Sequence, residues 1–265
     1  MGASVRLVSN LTTSKGNQIK ARKGNYWYKV DYLGYEGLAE FLCTKLLTYT
    51  NIEEFVKYQM LDIEVGNSVC KGCISPNFLQ DTESIMTADR LFKAYKGVPI
   101  VEYLKHFHSM EERICNFVKT VEEITGITQY GAALTKMLEW DGFVLNDDRH
   151  FNNIAFVYND ETKQFKLSPL FDNGASFLSD TKYDYPMEKN VYGLMASVKA
   201  KPFSDSFDEQ LDVCEKLYGV QLTVDHSIAI VPAVMQSIID QYGEPLAERV
   251  NEIFRHQLAM TDYLR

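Results

Sequence analysis

The chain contains no uninterrupted apolar run of about eighteen residues, so no membrane span is expected. It is short of positive charge: 27 lysines and arginines face 36 aspartates and glutamates, for a net charge of −9. That balance excludes a broad nucleic-acid surface, which needs clustered Lys and Arg to neutralise phosphates. A small basic pocket for one phosphorylated ligand stays compatible with it. The amino terminus lacks the charged-then-apolar pattern of an export signal, so the cytoplasm of the producing cell is the expected compartment. "MGASVR" has Arg6 where a myristoylation signal requires Ser or Thr. Cysteine is scarce and scattered: Cys43, Cys70, Cys73, Cys115 and Cys214 are an odd set. "CKGC" has ligand-like spacing, but no second Cys or His pair follows at zinc-finger distance. A β-turn with two half-buried thiols is expected there. Internal repeats and low-complexity segments are also missing.

What is present is an ordinary globular composition, 46% hydrophobic and 24% charged over 265 residues. That length suits one large domain or two lobes sharing a cleft. The first ninety or so residues read as strands, with "ASVRLVSNL" and "NYWYKVDYL" rich in β-branched and aromatic residues and Gly16, Asn17, Gly24 and Asn25 as turn signals. "YEGLAEFLCTKLLTYT" has helical spacing, "EEFVKYQMLDIEV" and "SIMTADRLF" return to strand-like runs, and "VGNSVCKGCISPN" between them is turn-rich. From Asp89 the pattern turns helical. "MEERICNFVKTVEEITG" has Gly126 as its stop, "YGAALTKMLEWDGFVL" follows, and the hairpin candidates "NIAFVYN" and "QFKLSPLF" come next. "SIAIVPAVMQSIIDQYG" and "PLAERVNEIFRHQLAMTDYL" close the chain as helices. The organisation is α+β and bilobal: a small β-rich lobe over residues 1–88 and a larger α-helical lobe over 89–265.

"NDDRHFNNIAF", residues Asn146 to Phe156, concentrates acids, arginine, histidine and amides before an apolar run. Both Asp147–Asn152 and Asp148–Asn153 are spaced five apart, and nineteen residues after Asn153 comes Asp172 in "LFDNGAS". Phosphoryl transfer from a nucleotide needs a metal, carboxylates to hold it, a cation on the phosphates and a carboxylate for the attacking hydroxyl. The intervening hairpin would return Asp172 beside Asn153, so an aspartate and an amide oxygen could share a cation. Two carboxylates about 4 Å apart repel by roughly 4 kcal/mol at an effective dielectric near 20. Mg²⁺, which prefers hard oxygen ligands, would turn that repulsion into binding.

"DRHFNNI" resembles the "DRHxxN" catalytic loop of HipA-like serine/threonine kinases, shared with phosphatidylinositol kinases, and "DNG" stands where protein kinases have DFG. "SKGNQIK" is similar to the "GAQxK" phosphate loop of HipA-like proteins, "YWYKVD" to their lysine strand and "AEFLCTKLL" to the helix after it. The segments run in family order over residues 12 to 178, and the shape resembles the compact CtkA-like type. The resemblance implies a protein-kinase-like fold that uses ATP and Mg²⁺ on a protein substrate and autophosphorylates, at Thr13 or Ser14. It implies Asp148 as base and His150 as a loop-shaping or catalytic residue, with Asn153 and Asp172 as metal ligands. Lys29 would contact the phosphates, paired with Glu40 or with Glu36. Ser14, Lys15, Gly16, Asn17 and Gln18 would cover the phosphates, and Met86 to Asp89 would line adenine. Choosing Asp148–Asn153 puts His150 two residues after the acid, as "DRHxxN" requires.

The stretch ahead of "SKGNQ" is too short for the subdomain through which HipA proteins contact their antitoxin, which argues against such a partner. The same loop also fits a lipid or small-molecule kinase, although no basic or amphipathic membrane face is evident. A pseudokinase or nucleotide-binding interaction module is the third reading, against which the complete set of lysine, base and metal ligands speaks. Arg149 is expected to cap or pair with a nearby acid, Trp27 and Trp140 to pack, and "SDSFDEQLD" to be solvated. Lys199 and Lys201 could meet an acidic substrate.

Overall fold

The computed structural model describes residues 4–7, 12–13 and 18–265, the first two stretches by backbone alone. Strands β1 (Ser4–Leu7), β2 (Thr12–Thr13), β3 (Ile19–Lys23), β4 (Tyr26–Val30), β5 (Gln59–Val65) and β6 (Ser68–Pro76) form one sheet in the order β1-β5-β6-β4-β3-β2. Its pairs are antiparallel apart from β1 with β5. Gly24 turns β3 into β4 at a positive φ that glycine adopts freely. The resulting register sets Lys20 opposite Lys29.

β6 overturns two expectations. The segment read as turn-rich is a nine-residue strand at the middle of the sheet. "CKGC" therefore contains no turn, and Cys70 is partly buried while Cys73 is buried. The turn signals belong to Gly66 and Asn67, the two-residue link from Val65 to Ser68.

Helix α1 (Glu36–Leu47) packs against this sheet. The approach is closest at two glycines. A Cβ on Gly37 would lie 2.6 Å from the Gly72 carbonyl carbon, and one on Gly72 would lie 2.2 Å from the Lys29 backbone oxygen. α1 can lie this close to β6 because Gly37 carries no side chain, and β6 this close to the Lys29 backbone because Gly72 carries none.

A second sheet, in the order β7-β8-β9, joins β7 (Glu83–Thr87) to the hairpin β8 (Ala155–Asn159) and β9 (Phe165–Leu167). "SIMTADRLF" is thus strand only as far as Thr87, whose hydroxyl accepts from Arg90 N and starts α2 (Ala88–Lys96). Then come α3 (Ile100–Leu104), α4 (Met110–Thr125) and α5 (Tyr130–Val144). The Ser109/Glu112 capping box begins α4, and left-handed Gly126 ends it. After the hairpin follow α6 (Val191–Met195), α7 (Phe207–Tyr218), α8 (Ile230–Tyr242) and α9 (Glu244–Met260). Among the described residues no helix is long and apolar enough to cross a membrane.

The main core unites Leu38, Leu42 and Leu46 of α1 with Trp140 and Phe143 of α5, Ile238 of α8 and Val250 and Phe254 of α9. A second core gathers around Phe117 on α4 and takes in Phe92, Leu134, Phe151 and Phe203. Phe151 lies inside the polar loop after α5, so that loop is packed from below.

Gly72→Ala is expected to cost about 1–3 kcal/mol by driving a Cβ into the Lys29 backbone oxygen and the Ile63 side chain. Val69→Ala, at an exposed position of the same strand, should stay within about 0.5 kcal/mol. Urea unfolding measures both, and an unchanged midpoint for Gly72→Ala would mean the strands can separate without penalty.

Candidate active site

Lys29 lies near the end of β4 and is buried together with Glu40 on α1, and their side chains form an ion pair. Its ammonium also binds Asp172 Oδ1 at 2.6 Å, while Lys20 from the neighbouring strand reaches Asp172 Oδ2 at 3.4 Å. Burial alone would raise the Asp172 carboxyl, but Lys29 and Lys20 outweigh it and hold it well below the usual carboxylate range. Burial likewise works against the Lys29 charge, and Asp172 and Glu40 more than restore it. Glu36 is turned elsewhere: its carboxylate accepts from the backbone N–H groups of Tyr32, Leu33 and Gly34. The choice left open between the two glutamates is thus resolved geometrically, with Glu40 on the lysine and Glu36 closing a turn.

The polar loop begins where α5 ends in left-handed Leu145, a conformation costing a non-glycine residue roughly 1–2 kcal/mol. Buried Asn146 repairs the turn by donating to Asp141 Oδ1 at 2.7 Å and accepting from Asp148 N at 3.3 Å. Arg149 is fully buried and organises the rest of the loop. Its Nε and Nη2 bind the two Asp141 oxygens at 2.8 and 3.0 Å. Its Nη1 donates to Asn153 O at 3.1 Å and to Phe171 O at 2.8 Å. One guanidinium nitrogen therefore ties both ends of the β8–β9 hairpin, bringing the segments of Asn153 and Asp172 together. Nη2 also donates to Asn173 Oδ1 at 3.0 Å, an oxygen that Trp140 Nε1 approaches at 3.2 Å. Asn173 N in turn donates to Glu40 Oε2 at 3.0 Å. The line of contacts runs Asp141, Arg149, Asn173, Glu40, Lys29, Asp172.

On the outer side of the loop, Asp148 is half-exposed and Lys201 Nζ binds its Oδ1 at 2.8 Å. His150 Nε2 stands 3.6 Å from Asp148 Oδ2, too far for a hydrogen bond. The loop is shaped by the His150 backbone rather than by its ring: its N donates to Asp148 O at 2.8 Å and its O accepts from Asn153 N at 2.7 Å. Asn153 Nδ2 is spent on Asp148 O at 2.8 Å, which leaves its amide oxygen, a hard donor, as the remaining side-chain polar atom. Among the described residues no three His, Cys, Asp or Glu side chains cluster as a metal site. A cation held through Asn153 and Asp172 would therefore complete its shell with phosphate oxygens and water, the habit of Mg²⁺.

The neighbouring pair is placed differently. Asp147 accepts from the Tyr185 hydroxyl at 2.5 Å, and Asn152 Oδ1 lies 3.4 Å from the Thr87 hydroxyl. Met86 is in the second sheet opposite Phe156, and Asp89 pairs with Lys93 at 2.5 Å and accepts from Ile100 N at 3.3 Å. The Asp89 carboxylate thus joins α2 to α3, a use that the pattern "SIMTADR" did not disclose. Gln18 is half-buried just ahead of β3, whereas Ser14, Lys15, Gly16 and Asn17 lie outside the described residues, as does the Thr13 side chain. Trp140 packs at full burial as expected, and Arg149 does pair with an acid. Sequence reasoning assigned no role to Lys20, Asn173 or Asp141. Lys20 was within reach as the last letter of "SKGNQIK", and Asn173 as the middle letter of "DNG".

A twisted sheet carrying the lysine, one buried helix carrying its glutamate, and a helical remainder presenting an Asp-Arg-His loop and an Asp-Asn-Gly turn together form a protein-kinase-like α+β fold. The solved structure of the Helicobacter pylori proinflammatory kinase CtkA has this fold, matching with a TM-score of 0.65 over 98% of this chain and 95% of that one, at 15% sequence identity. A chain of the Shewanella oneidensis MR-1 complex of HipA, HipB and operator DNA matches with a TM-score of 0.43 over 90% of this chain and 58% of that one, at 12% identity. No family model and no curated protein matches the chain.

Two outcomes are expected of the loop. Arg149→Leu should destabilise by about 3–5 kcal/mol, because it strands the Asp141 carboxylate inside the protein. Asp141→Leu added to it should recover part of that loss, and thermal unfolding of the single and double variants checks it. Burial pushes the Asp147 carboxyl from 3.8 up to about 6, with the Tyr185 hydroxyl pulling against it. The folded state thus holds this proton more tightly than the unfolded chain. Its stabilising effect is complete below the unfolded value and is lost as pH rises through about 6. Asp147→Asn keeps an acceptor for Tyr185, so its Tm should gain on the wild type between about pH 5 and about pH 7.5. A constant difference across that range would refute the linkage.

Proposed function

We propose that the chain is an ATP- and Mg²⁺-dependent phosphotransferase that phosphorylates serine or threonine hydroxyls of a protein substrate, itself included. The observation that carries this reading is the placement of Lys29 between Glu40 and Asp172. Arg149 adds support by tying the Asp148 loop to the Asp172 turn through the two carbonyls it holds. In this reading Lys29 binds the α- and β-phosphates and Glu40 keeps its ammonium aimed. Asn153 and Asp172 offer oxygen ligands to the metal, and Gln18 and the segment before it border the phosphates. Asp172 fits a cation because its neighbours keep it ionised; it now holds two ammonium groups and would exchange one for the metal. Bound Mg²⁺ would neutralise charge on the β- and γ-phosphates. Asp148 orients the acceptor hydroxyl and takes its proton. The likeness in fold to the CtkA kinase supports the same reading without naming a substrate.

Incubation with γ-labelled ATP, alone and with a cell lysate, should give labelled protein, with mass spectrometry locating Ser and Thr sites. Asp148→Asn and Asp172→Asn should each lower transfer by about 10²–10⁴-fold, whereas Asp147→Asn should retain it. Full activity in Asp172→Asn would remove the metal assignment, and loss confined to Asp147→Asn would show that the other five-residue pair does the work. Label in inositol lipids but not in protein would change the acceptor. No thermal shift with nucleotide and Mg²⁺ would reject the reading.

A further inference from the structure

The two ends of the site are provided with cations by different parts of the chain. At the Asp172 end stand Lys29 and Lys20, both on the sheet. At the Asp148 end stands Lys201, which the sequence separates from Asp148 by 53 positions and the fold brings to 2.8 Å. Its position is built, not incidental. Buried Gln210 on α7 donates to the Lys201 backbone oxygen at 3.1 Å, and Ala200 N is bonded to Asp205 O at 2.9 Å. Ala200 is buried, and Phe203 sits against Phe151 of the polar loop with ring centroids 5.6 Å apart. Helix α7, the 200–205 segment and the loop bearing Asp148 are thus packed as one unit, and Lys201 is the cation it sets against Asp148. Lys199 by contrast pairs with Asp205 at 2.8 Å, both side chains exposed.

We infer that Lys201 is a catalytic residue that binds the phosphoryl group in transit, an assignment resting on the kinase reading above. As the acceptor oxygen forms its bond to the γ-phosphorus, the bond from that phosphorus to the β,γ-bridging oxygen breaks and ADP leaves with the electron pair. Asp148 takes the acceptor proton. The charge on the transferring group moves away from Lys29, which stays with the nucleotide, and towards the acceptor side. A donor waiting there is worth most in the transition state, when the group lies between the two oxygens. An ammonium has three donors, so Lys201 can keep Asp148 and still offer the phosphoryl oxygens a hydrogen bond. Half-exposed on both sides, the Lys201–Asp148 pair is weak enough for the phosphate to share it.

The experiment compares the full chain with Lys201→Ala, Lys201→Arg and Lys199→Ala in two measurements: phosphoryl transfer, and thermal shift with Mg²⁺ plus ATP or ADP. Lys201→Ala is expected to lower kcat by about 10²-fold with little change in KM for ATP. It should also abolish the extra shift that ATP gives over ADP, since that increment reports the γ-phosphate. Lys201→Arg should recover part of both, and Lys199→Ala should match wild type. Wild-type kcat and a preserved ATP increment in Lys201→Ala would overturn the assignment. So would a rise in kcat, which would make Lys201 a plug over Asp148. A wild-type protein that transfers no phosphate, yet shows an ATP increment that Lys201→Ala loses, would overturn the kinase reading and keep the Lys201 contact. No shift with either nucleotide would overturn both.

Discussion

A single buried guanidinium holds this site in register. Arg149 answers to Asp141 on α5, to the carbonyls of Asn153 and Phe171 at the two ends of a hairpin, and to the side chain of Asn173. Such a charge is tolerated inside a protein when its donors are met, and the guanidinium's planar fork lets it meet several segments at once. Those segments cannot shift independently without leaving a donor unmet. The loop of Asp148 and the turn of Asp172 therefore form one rigid piece, although 24 positions separate the two acids.

The charges beyond Arg149 depend on that piece. Asn173 passes the constraint to Glu40, Glu40 to Lys29, and Lys29 back to Asp172. Lys20, Lys29 and Arg149 face Glu40, Asp141 and Asp172, so the cluster is balanced in sign. In the proposed reading a polyphosphate with its metal would enter as further charges of both signs, and an ammonium group on Asp172 would change partners.

Much of this was legible because local chemistry carries it. The spacing of Asp148, His150 and Asn153 singles out one of two equivalent-looking pairs, and in the structure the two acids have different partners, Lys201 for Asp148 and Tyr185 for Asp147. Helices α1, α4, α5, α8 and α9 announced themselves by period, and α4 by its Gly126 stop as well. What stayed hidden depends on partners distant in sequence. β6 looked like a turn because Gly72 reads as a breaker, whereas it leaves room for the Lys29 backbone and the Ile63 side chain. Nothing local in "SIMTADR" reveals that β7 pairs with β8 and that α2 starts at once. Lys201 was visible as a cation, but its pairing with Asp148 is a product of α7 packing.

The helix bearing Glu40 has a further consequence. Protein kinases are switched by moving the equivalent helix, making or breaking its glutamate's pair with the lysine. Here α1 shares the main core with α5, α8 and α9, and Tyr242 at the end of α8 donates at 2.8 Å to Asp31, whose other oxygen accepts from Gly37 N at 2.6 Å. Moving α1 as a body without its neighbours would pull Leu38, Leu42 and Leu46 out of that core. The helix is thus held from two sides, by the shared core and by the Tyr242–Asp31–Gly37 contacts, so a movement of α1 as a body would carry α8 with it.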